Sequence, residues 1–367
     1  MSKRITIITL QNVRNYGSVL QALATQEIME SLGLECNFVN YWKNKENTIK
    51  GRLRSFTHGR NVLARILMAC VLYPTFRKDS IVFDRFNRAR LHLLPGTYTS
   101  EEDLEKMPTD SDIYCTGSDQ TWNSGWNNGV LPELFLKFVP DNVTKIAYAA
   151  SIGKSKLDEW EIDETRQFLS RYKAISVREK SAVDICKGLG MKATHVLDPT
   201  LQVSRDYWMS IASPRLIKEK YVLIYQLNTN YQFDRYAVEY AKRRGCKLVR
   251  FCIRHYQSLR PGKALIIPKP EDFISALAYA DTVITDSFHA TAFSCNLNVP
   301  MICIYPNEYS SRLASILELT GLQNRHLRDY NDFSYVKNYN VDFKRVNRIL
   351  DEQRQIGIDF LKKAIAD

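Results

Sequence analysis

Arg4-Ile5-Thr6-Ile7-Ile8-Thr9-Leu10-Gln11-Asn12-Val13-Arg14-Asn15-Tyr16-Gly17-Ser18 decides the fold. Its first seven residues form a β-rich run, a polar turn leads to Gly17, and Val19 to Ser31 reads as a helix. That strand–turn–helix unit recurs along the chain. Asn37-Phe38-Val39, Asp112-Ile113-Tyr114-Cys115-Thr116, Lys145-Ile146-Ala147-Tyr148-Ala149-Ala150, Ala174-Ile175-Ser176-Val177 and Ala193-Thr194-His195-Val196-Leu197 read as strands, with a helix over Glu179 to Leu189. The rhythm restarts after a join near Tyr207–Lys220. Strands at Tyr221–Tyr225, Lys247–Cys252, Thr282–Thr285 and Met301–Tyr305 alternate with helices over Gln232–Arg244, Glu271–Ala280 and from His289 to Leu297. Such alternation requires parallel sheets covered on both faces. The expected architecture is α/β, two Rossmann-like domains with a cleft between them. Residues 1–206 would form the first, with a basic helical insertion at 43–90, and 207–345 the second. A helix over 346–367 could pack back on the first domain.

The chain has 367 residues, 45% of them hydrophobic and 25% charged, with 15 Gly and 12 Pro. That composition excludes collagen-like, low-complexity and largely disordered chains. The eight cysteines include no C-x-x-C pair and the six histidines no H-x-x-x-H pair, so neither a disulfide framework nor a zinc site is expected. The start runs directly into a strand pattern without the apolar core of a signal peptide. These features lead us to expect a cytoplasmic protein.

Net charge is +11, and it is concentrated. Residues 43–90 hold twelve Lys/Arg against Glu46, Asp79 and Asp84, a net +9 that leaves +2 for the rest. Inside that segment Asn61 to Tyr73 reads as an unusually apolar helix, interrupted by Arg65 and shorter than the ~20 residues a bilayer span needs. Two readings stand. The segment is a basic, apolar helix for an anionic membrane surface, or a solvated basic face on a helix that packs on the core. Nucleic acid is not expected as a partner, because no recognition motif accompanies the charge.

Ligands of open α/β sheets bind beyond the carboxyl ends of strands, and four polar clusters fall there. Asn15-Tyr16-Gly17-Ser18 opens a helix and offers backbone N–H groups to an anion, or is an ordinary helix cap. Gly117-Ser118-Asp119-Gln120-Thr121-Trp122-Asn123 carries more hydrogen-bonding and stacking groups than a routine turn needs. Asp286-Ser287-Phe288-His289 places an imidazole at a helix start with Ser287 as its cap. Ser176-Val177-Arg178-Glu179 puts a guanidinium at a strand end, able to bind an anion bidentately or to form a surface charge pair; Arg312 is similar. Asp110-Ser111-Asp112 precedes its strand and reads as a turn, not a metal motif.

In this order the clusters resemble the polysaccharide pyruvyl transferase family. The resemblance runs through Asn15–Ala22, Gly117–Asn123, Ala147–Gly153, Ser176–Lys180, Leu197–Thr200, Thr285–Phe293 and Ser311–Leu313, within residues 5–325. It implies a glycosyltransferase-B-like fold and transfer of the enolpyruvyl group of phosphoenolpyruvate to two hydroxyls of a sugar. The product would be a cyclic pyruvate ketal on a bacterial surface polysaccharide or its lipid-linked precursor, at the inner face of the cytoplasmic membrane. No cofactor or metal is expected. Arg178 and His289 match family residues that contact the donor. Some members carry a basic residue where this chain has Ser287, which shifts the anion hold toward Arg178, Arg312 and helix N-terminal amides. The expected donor set is thus Arg178, Ser287, Arg312, Asn15, Gly17 and Ser18. From residue type and position, Asp119 joins His289 as catalytic, and Gln120, Trp122 and Asn123 are expected to meet the acceptor, an undecaprenyl-linked oligosaccharide. The alternative is a nucleotide-sugar glycosyltransferase on the same fold.

Overall fold

The computed structural model describes residues 2–43, 48–108, 110–306, 310–338 and 340–366. Two compact units emerge: residues 1–47, 84–203 and 351–367 form one, and 48–83 with 204–350 the other.

The first unit is built on a six-stranded parallel sheet of order β2-β1-β3-β4-β5-β6. Its strands are β1 (Arg4–Ile8), β2 (Glu35–Phe38), β3 (Ile113–Thr116), β4 (Thr144–Ala150), β5 (Ala174–Val177) and β6 (Ala193–His195). Ile5, Ile7 and Ile8 are wholly buried and β3 is buried along its length, as befits strands covered on both faces. The helix Tyr16–Ser31 is buried on most of its surface, which is why it lacks a polar face. The chain leaves β1 for β2 on one side and returns to β3 on the other. The topological switch point therefore lies at the carboxyl ends of β1 and β3. Gly117 closes β3 there because a Cβ would stand 2.9 Å from the Thr9 Cβ.

β4 carries one extra residue. Its register with β5 steps from Ala147↔Ile175 to Ala150↔Val177, and Ala149 adopts φ 51°. The Ser176 hydroxyl repairs the gap by donating to the Ala147 carbonyl (3.0 Å) and accepting from the Ala149 amide (3.1 Å).

The second unit holds a five-stranded parallel sheet of order β11-β10-β7-β8-β9. These are β7 (Tyr221–Tyr225), β8 (Lys247–Cys252), β9 (Lys263–Ile266), β10 (Thr282–Thr285) and β11 (Met301–Cys303). β7 leads to β8 on one side, while β10 lies on its other side, so this switch point is at the ends of β7 and β10. β9 was not expected from the sequence. It is a four-residue edge strand after Pro261-Gly262, and only its pairing with β8 identifies it.

The basic segment departs from the sequence reading, which put all of 43–90 in the first domain. Residues 44–47 lie outside the described residues. Residues 48–83 belong to the second unit, where Thr75 Oγ1 accepts from the His255 amide (3.0 Å) and Lys78 Nζ donates to the Ile266 carbonyl (2.6 Å). Residues 84–90 belong to the first, where Asn87 Nδ2 donates to the Gln11 carbonyl (2.9 Å). The apolar helix does not stop at Tyr73 but runs Val62–Arg90, through Pro74. Proline removes one backbone hydrogen bond, and burial of Leu72, Thr75, Phe76, Asp79 and Phe83 carries the helix past it. The C-terminal helix is Phe343–Ile365. Its residues from 351 on belong to the first unit, where the Arg354 carbonyl accepts from Gln202 Nε2 (2.7 Å) and Arg354 Nε donates to Leu201 (2.9 Å).

Among the described residues, no helix is long and apolar enough to cross a membrane.

Candidate functional site

In the first unit the strand-end motifs converge on Arg178. It follows β5 directly, and its side chain is 1% exposed. Its guanidinium meets three carboxylates: Nη1 to Asp198 Oδ2 at 2.6 Å, Nε to Glu179 Oε1 at 3.2 Å, and Nη2 to Asp119 Oδ1 at 3.5 Å. Burial alone would lower the Arg178 pKa; Asp198, Glu179 and Asp119 raise it instead, so the group stays protonated. Asp198 is fixed in turn as an N-cap, its Oδ1 accepting from the Thr200 amide (2.9 Å) and hydroxyl (2.6 Å). Glu179 accepts from the Ser151 hydroxyl, and Asp119 from the Ser18 hydroxyl.

Asp119 sits at φ 72°, a backbone region few non-glycine residues occupy. It pairs as an isolated bridge with Ala150, and the Trp122 amide donates to the Ser151 carbonyl (3.1 Å). The β4 bulge thus sets the height at which the 117–123 loop docks. Tyr148, on β4, is fully buried and its hydroxyl has no hydrogen-bond partner among the described residues. Burial, then the charge of Asp198, pushes its pKa well above the usual phenol value.

This geometry corrects several expectations. Arg178 was expected to grip a donor anion directly, but its guanidinium is committed to carboxylates in a cluster whose excess charge is negative. Gly17 and Ser18 were expected to offer an anion-binding helix start. The Gly17 amide instead donates to the Asn15 side chain (2.8 Å), and the Ser18 hydroxyl faces Asp119. Trp122 is no sugar platform. It is 3% exposed, stacks on Phe135 (5.3 Å, 10°), and donates its indole N–H to the Leu134 carbonyl (3.1 Å). Asn123, also buried, caps the helix Ser124–Asn127 through the Trp126 amide (3.1 Å) and donates to Gln120 Oε1 (2.6 Å). Of the three expected acceptor residues, only Gln120 has appreciable exposure. Sequence reading missed Asp198 and Glu179 as site members. The Asp198-Pro199-Thr200 pattern signals a helix cap, but nothing local reveals that Arg178 is its partner.

The second unit presents a different chemistry. Asp286, just past β10, accepts from the Leu227 amide (2.7 Å), the Asn228 amide (2.9 Å) and the Asn228 side chain (3.0 Å). It thereby ties the two strand ends of the switch point together. Burial raises its pKa, and the three hydrogen bonds oppose that shift. Ser287 caps the helix Phe288–Leu297, its hydroxyl accepting from the Ala290 amide (3.4 Å). His289 lies in the first turn of that helix, 7% exposed, with its ring edge-on to Phe288 at 5.2 Å. The Arg312 guanidinium stands 6.0 Å above the Phe288 ring. Here a cation, an imidazole and a helix start are gathered, with Asp286 turned toward the β7 loop. Among the described residues, no group of three or more His, Cys, Asp or Glu could hold a metal ion.

Comparison with solved structures supports the two-domain reading. A protein described as a UDP-N-acetylglucosamine 2-epimerase from Listeria monocytogenes aligns over 97% of this chain and 91% of its own, with TM-score 0.51 and 11% identity. S. aureus MnaA, solved with UDP, aligns over 98% and 94%, also with TM-score 0.51 and 11% identity. At that identity the likeness concerns fold alone: two Rossmann-like domains of glycosyltransferase-B type. No curated protein matches the sequence significantly. The family model described as polysaccharide pyruvyl transferase matches residues 15–308, which include the Arg178 cluster and the Asp286–His289 turn. Matched over most of its length, the chain belongs to the polysaccharide pyruvyl transferase family.

Proposed function

We propose that this protein is a pyruvyl transferase using phosphoenolpyruvate to form a cyclic ketal on a sugar of a bacterial surface polysaccharide or its undecaprenyl-linked precursor, at the inner face of the cytoplasmic membrane. The carrying observation is the division of chemistry between the two switch points. One gathers carboxylates around a committed guanidinium, which suits neutral hydroxyls; the other gathers Arg312, His289 and a helix start, which suits an anion.

In this reading the second unit's set binds the donor, with Arg312 on its phosphate or carboxylate and Asp286 and Ser287 holding the turn. His289 is the acid. Its proton goes to the CH₂ carbon of phosphoenolpyruvate, which becomes a methyl group and leaves an oxocarbenium-like centre at C2. Asp119 takes the proton of the first sugar hydroxyl, whose oxygen bonds to C2. Cleavage of the bond between C2 and the phosphate's bridging oxygen releases phosphate, which leaves with the electron pair and takes the proton from Asp119; the second hydroxyl closes the ketal and its proton returns to His289. Acid catalysis of this kind contributes about 10²–10⁴-fold. Arg178 acts as a positioning residue, holding Asp119, Glu179 and Asp198 in one place.

Isothermal titration of phosphoenolpyruvate tests the reading. Binding lost in Arg312→Ala and His289→Ala, and kept in Trp122→Phe, supports it. No binding of phosphoenolpyruvate, with a nucleotide sugar stabilising the protein instead, would assign glycosyl transfer on the same fold.

A further inference from the structure

The helix Ile49–Thr57 and the first turns of Val62–Arg90 form a hairpin within the second unit. It is closed by a bidentate pair, Arg52 Nη1 and Nη2 to Asp79 Oδ1 and Oδ2, both 2.7 Å, and by Phe56 against Phe76 at 5.5 Å. At 100° per residue, Leu72, Thr75, Phe76, Asp79 and Phe83 share the packed side. Leu63, Ile66, Leu67 and Cys70 share the opposite side, flanked by Val62 and Val71, and all six are exposed: Val62 by 71%, Leu63 by 70%, Leu67 by 60%. A stripe of consecutive apolar side chains this open is unusual on a protein that works alone in water. It has no counterpart elsewhere among the described residues; Trp160, Tyr231 and Leu259 are exposed singly.

Charge says what covers it. Lys50, Arg54, Arg60, Arg65 and Arg77 lie in the same hairpin and are exposed, while Lys78 is held by the Ile266 carbonyl. From Thr48 to Ser80 the sequence has one carboxylate, Asp79, and that is buried against Arg52. A protein partner or a second copy of this chain would have to cover five exposed cations without an acidic group on this surface to answer its own basic ones. An anionic lipid bilayer meets both demands at once, hydrocarbon for the stripe and phosphate for the rim.

We infer that the hairpin is a membrane-docking device: the Val62–Val71 face lies in the headgroup–acyl boundary of an anionic bilayer while the surrounding Lys and Arg contact lipid phosphates. This rests on the reading of a lipid-linked acceptor for its purpose, though not for its observations. The face is about 14 Å long at 1.5 Å per residue, enough to lie in the interface and too short to span it. Pro74 stands where the exposed arm gives way to the part of the helix packed on its own unit.

The test is vesicle sedimentation of the whole chain, without substrate, on phosphatidylglycerol–phosphatidylcholine and on pure phosphatidylcholine vesicles. Wild type should bind the anionic vesicles and be released by salt. Leu63→Gln/Ile66→Gln/Leu67→Gln should weaken partitioning about tenfold or more, and Arg60→Gln about fivefold. An environment-sensitive fluorophore on Cys70, the exposed one of the eight cysteines, should shift to the blue on docking. Thermal melts of the variants should match wild type, because the replaced side chains are exposed.

No anionic-vesicle binding, equal binding to neutral vesicles, or binding that survives the triple substitution would overturn the inference. So would a dimer in light scattering that the same substitutions dissolve while vesicles leave it untouched. Phosphoenolpyruvate titration is a separate measurement, so failure of the ketal reading and failure of docking are told apart.

Discussion

Replacing Arg178 with Met asks whether its guanidinium is a donor ligand or the centre of a carboxylate cluster. The substitution leaves Asp198, Glu179 and Asp119 without the cation that now stands 2.6, 3.2 and 3.5 Å from them. Removing one partner of a buried ion pair costs about 3–5 kcal/mol. The lower end applies here, about 3 kcal/mol, because the Thr200 amide and hydroxyl still solvate Asp198. Urea unfolding of wild type and variant at about pH 8, followed by tryptophan fluorescence and circular dichroism, reads the deficit. A deficit under about 1 kcal/mol is what an exposed, lightly used cation would give. That result would refute the carboxylate-organising role and return Arg178 to the donor.

Other substitutions separate roles that look alike in the sequence. Trp122→Ala should destabilise by about 3–5 kcal/mol, whereas Trp122→Phe should cost about 1 kcal/mol, and neither should change acceptor KM in the protein that remains folded. A selective rise in acceptor KM would restore the stacking role. His289→Gln should lower kcat by about 10²–10⁴-fold with an unchanged melting curve; retained turnover would remove it as the acid. His195 donates Nε2–H to the Arg178 carbonyl (3.2 Å), and burial lowers its pKa below 6.5. Well above pH 6.5 it is neutral in both states. As pH falls below that value the unfolded chain takes its proton first, so stability should decline, and His195→Gln should flatten the decline in a pH series of melts.

The central strands were legible because Ile5–Ile8, Ile113–Thr116 and Tyr221–Tyr225 are short apolar runs bounded by turn residues. That is what burial on both faces demands of a parallel strand. β9 was not, being four partly exposed residues at an edge. The apolar run ended the expected helix at Tyr73, and packing beyond Pro74 carried the helix on to Arg90. At the site, the clusters were visible as polar residues after strands, but their division of labour was not. Whether a tryptophan stacks on a sugar or on Phe135 is set by the segment 132–135, which no motif at 117–123 encodes. Likewise Arg178 looked like an anion clamp until Asp198, twenty residues on, was seen to reach it.

The bulge in β4 has a kinetic meaning. The Ala149 amide is held by the Ser176 hydroxyl where a regular strand would hold it by a backbone carbonyl. Letting go of one side chain therefore frees the Ala149 amide without separating β4 from β5. The 117–123 loop, attached through Trp122 to Ser151, is tied to the same stretch. Amides of 119–123 and 149–151 should exchange with solvent hydrogen together, at a lower opening free energy than the strands beneath them. The sheet can then stay closed while its upper edge opens.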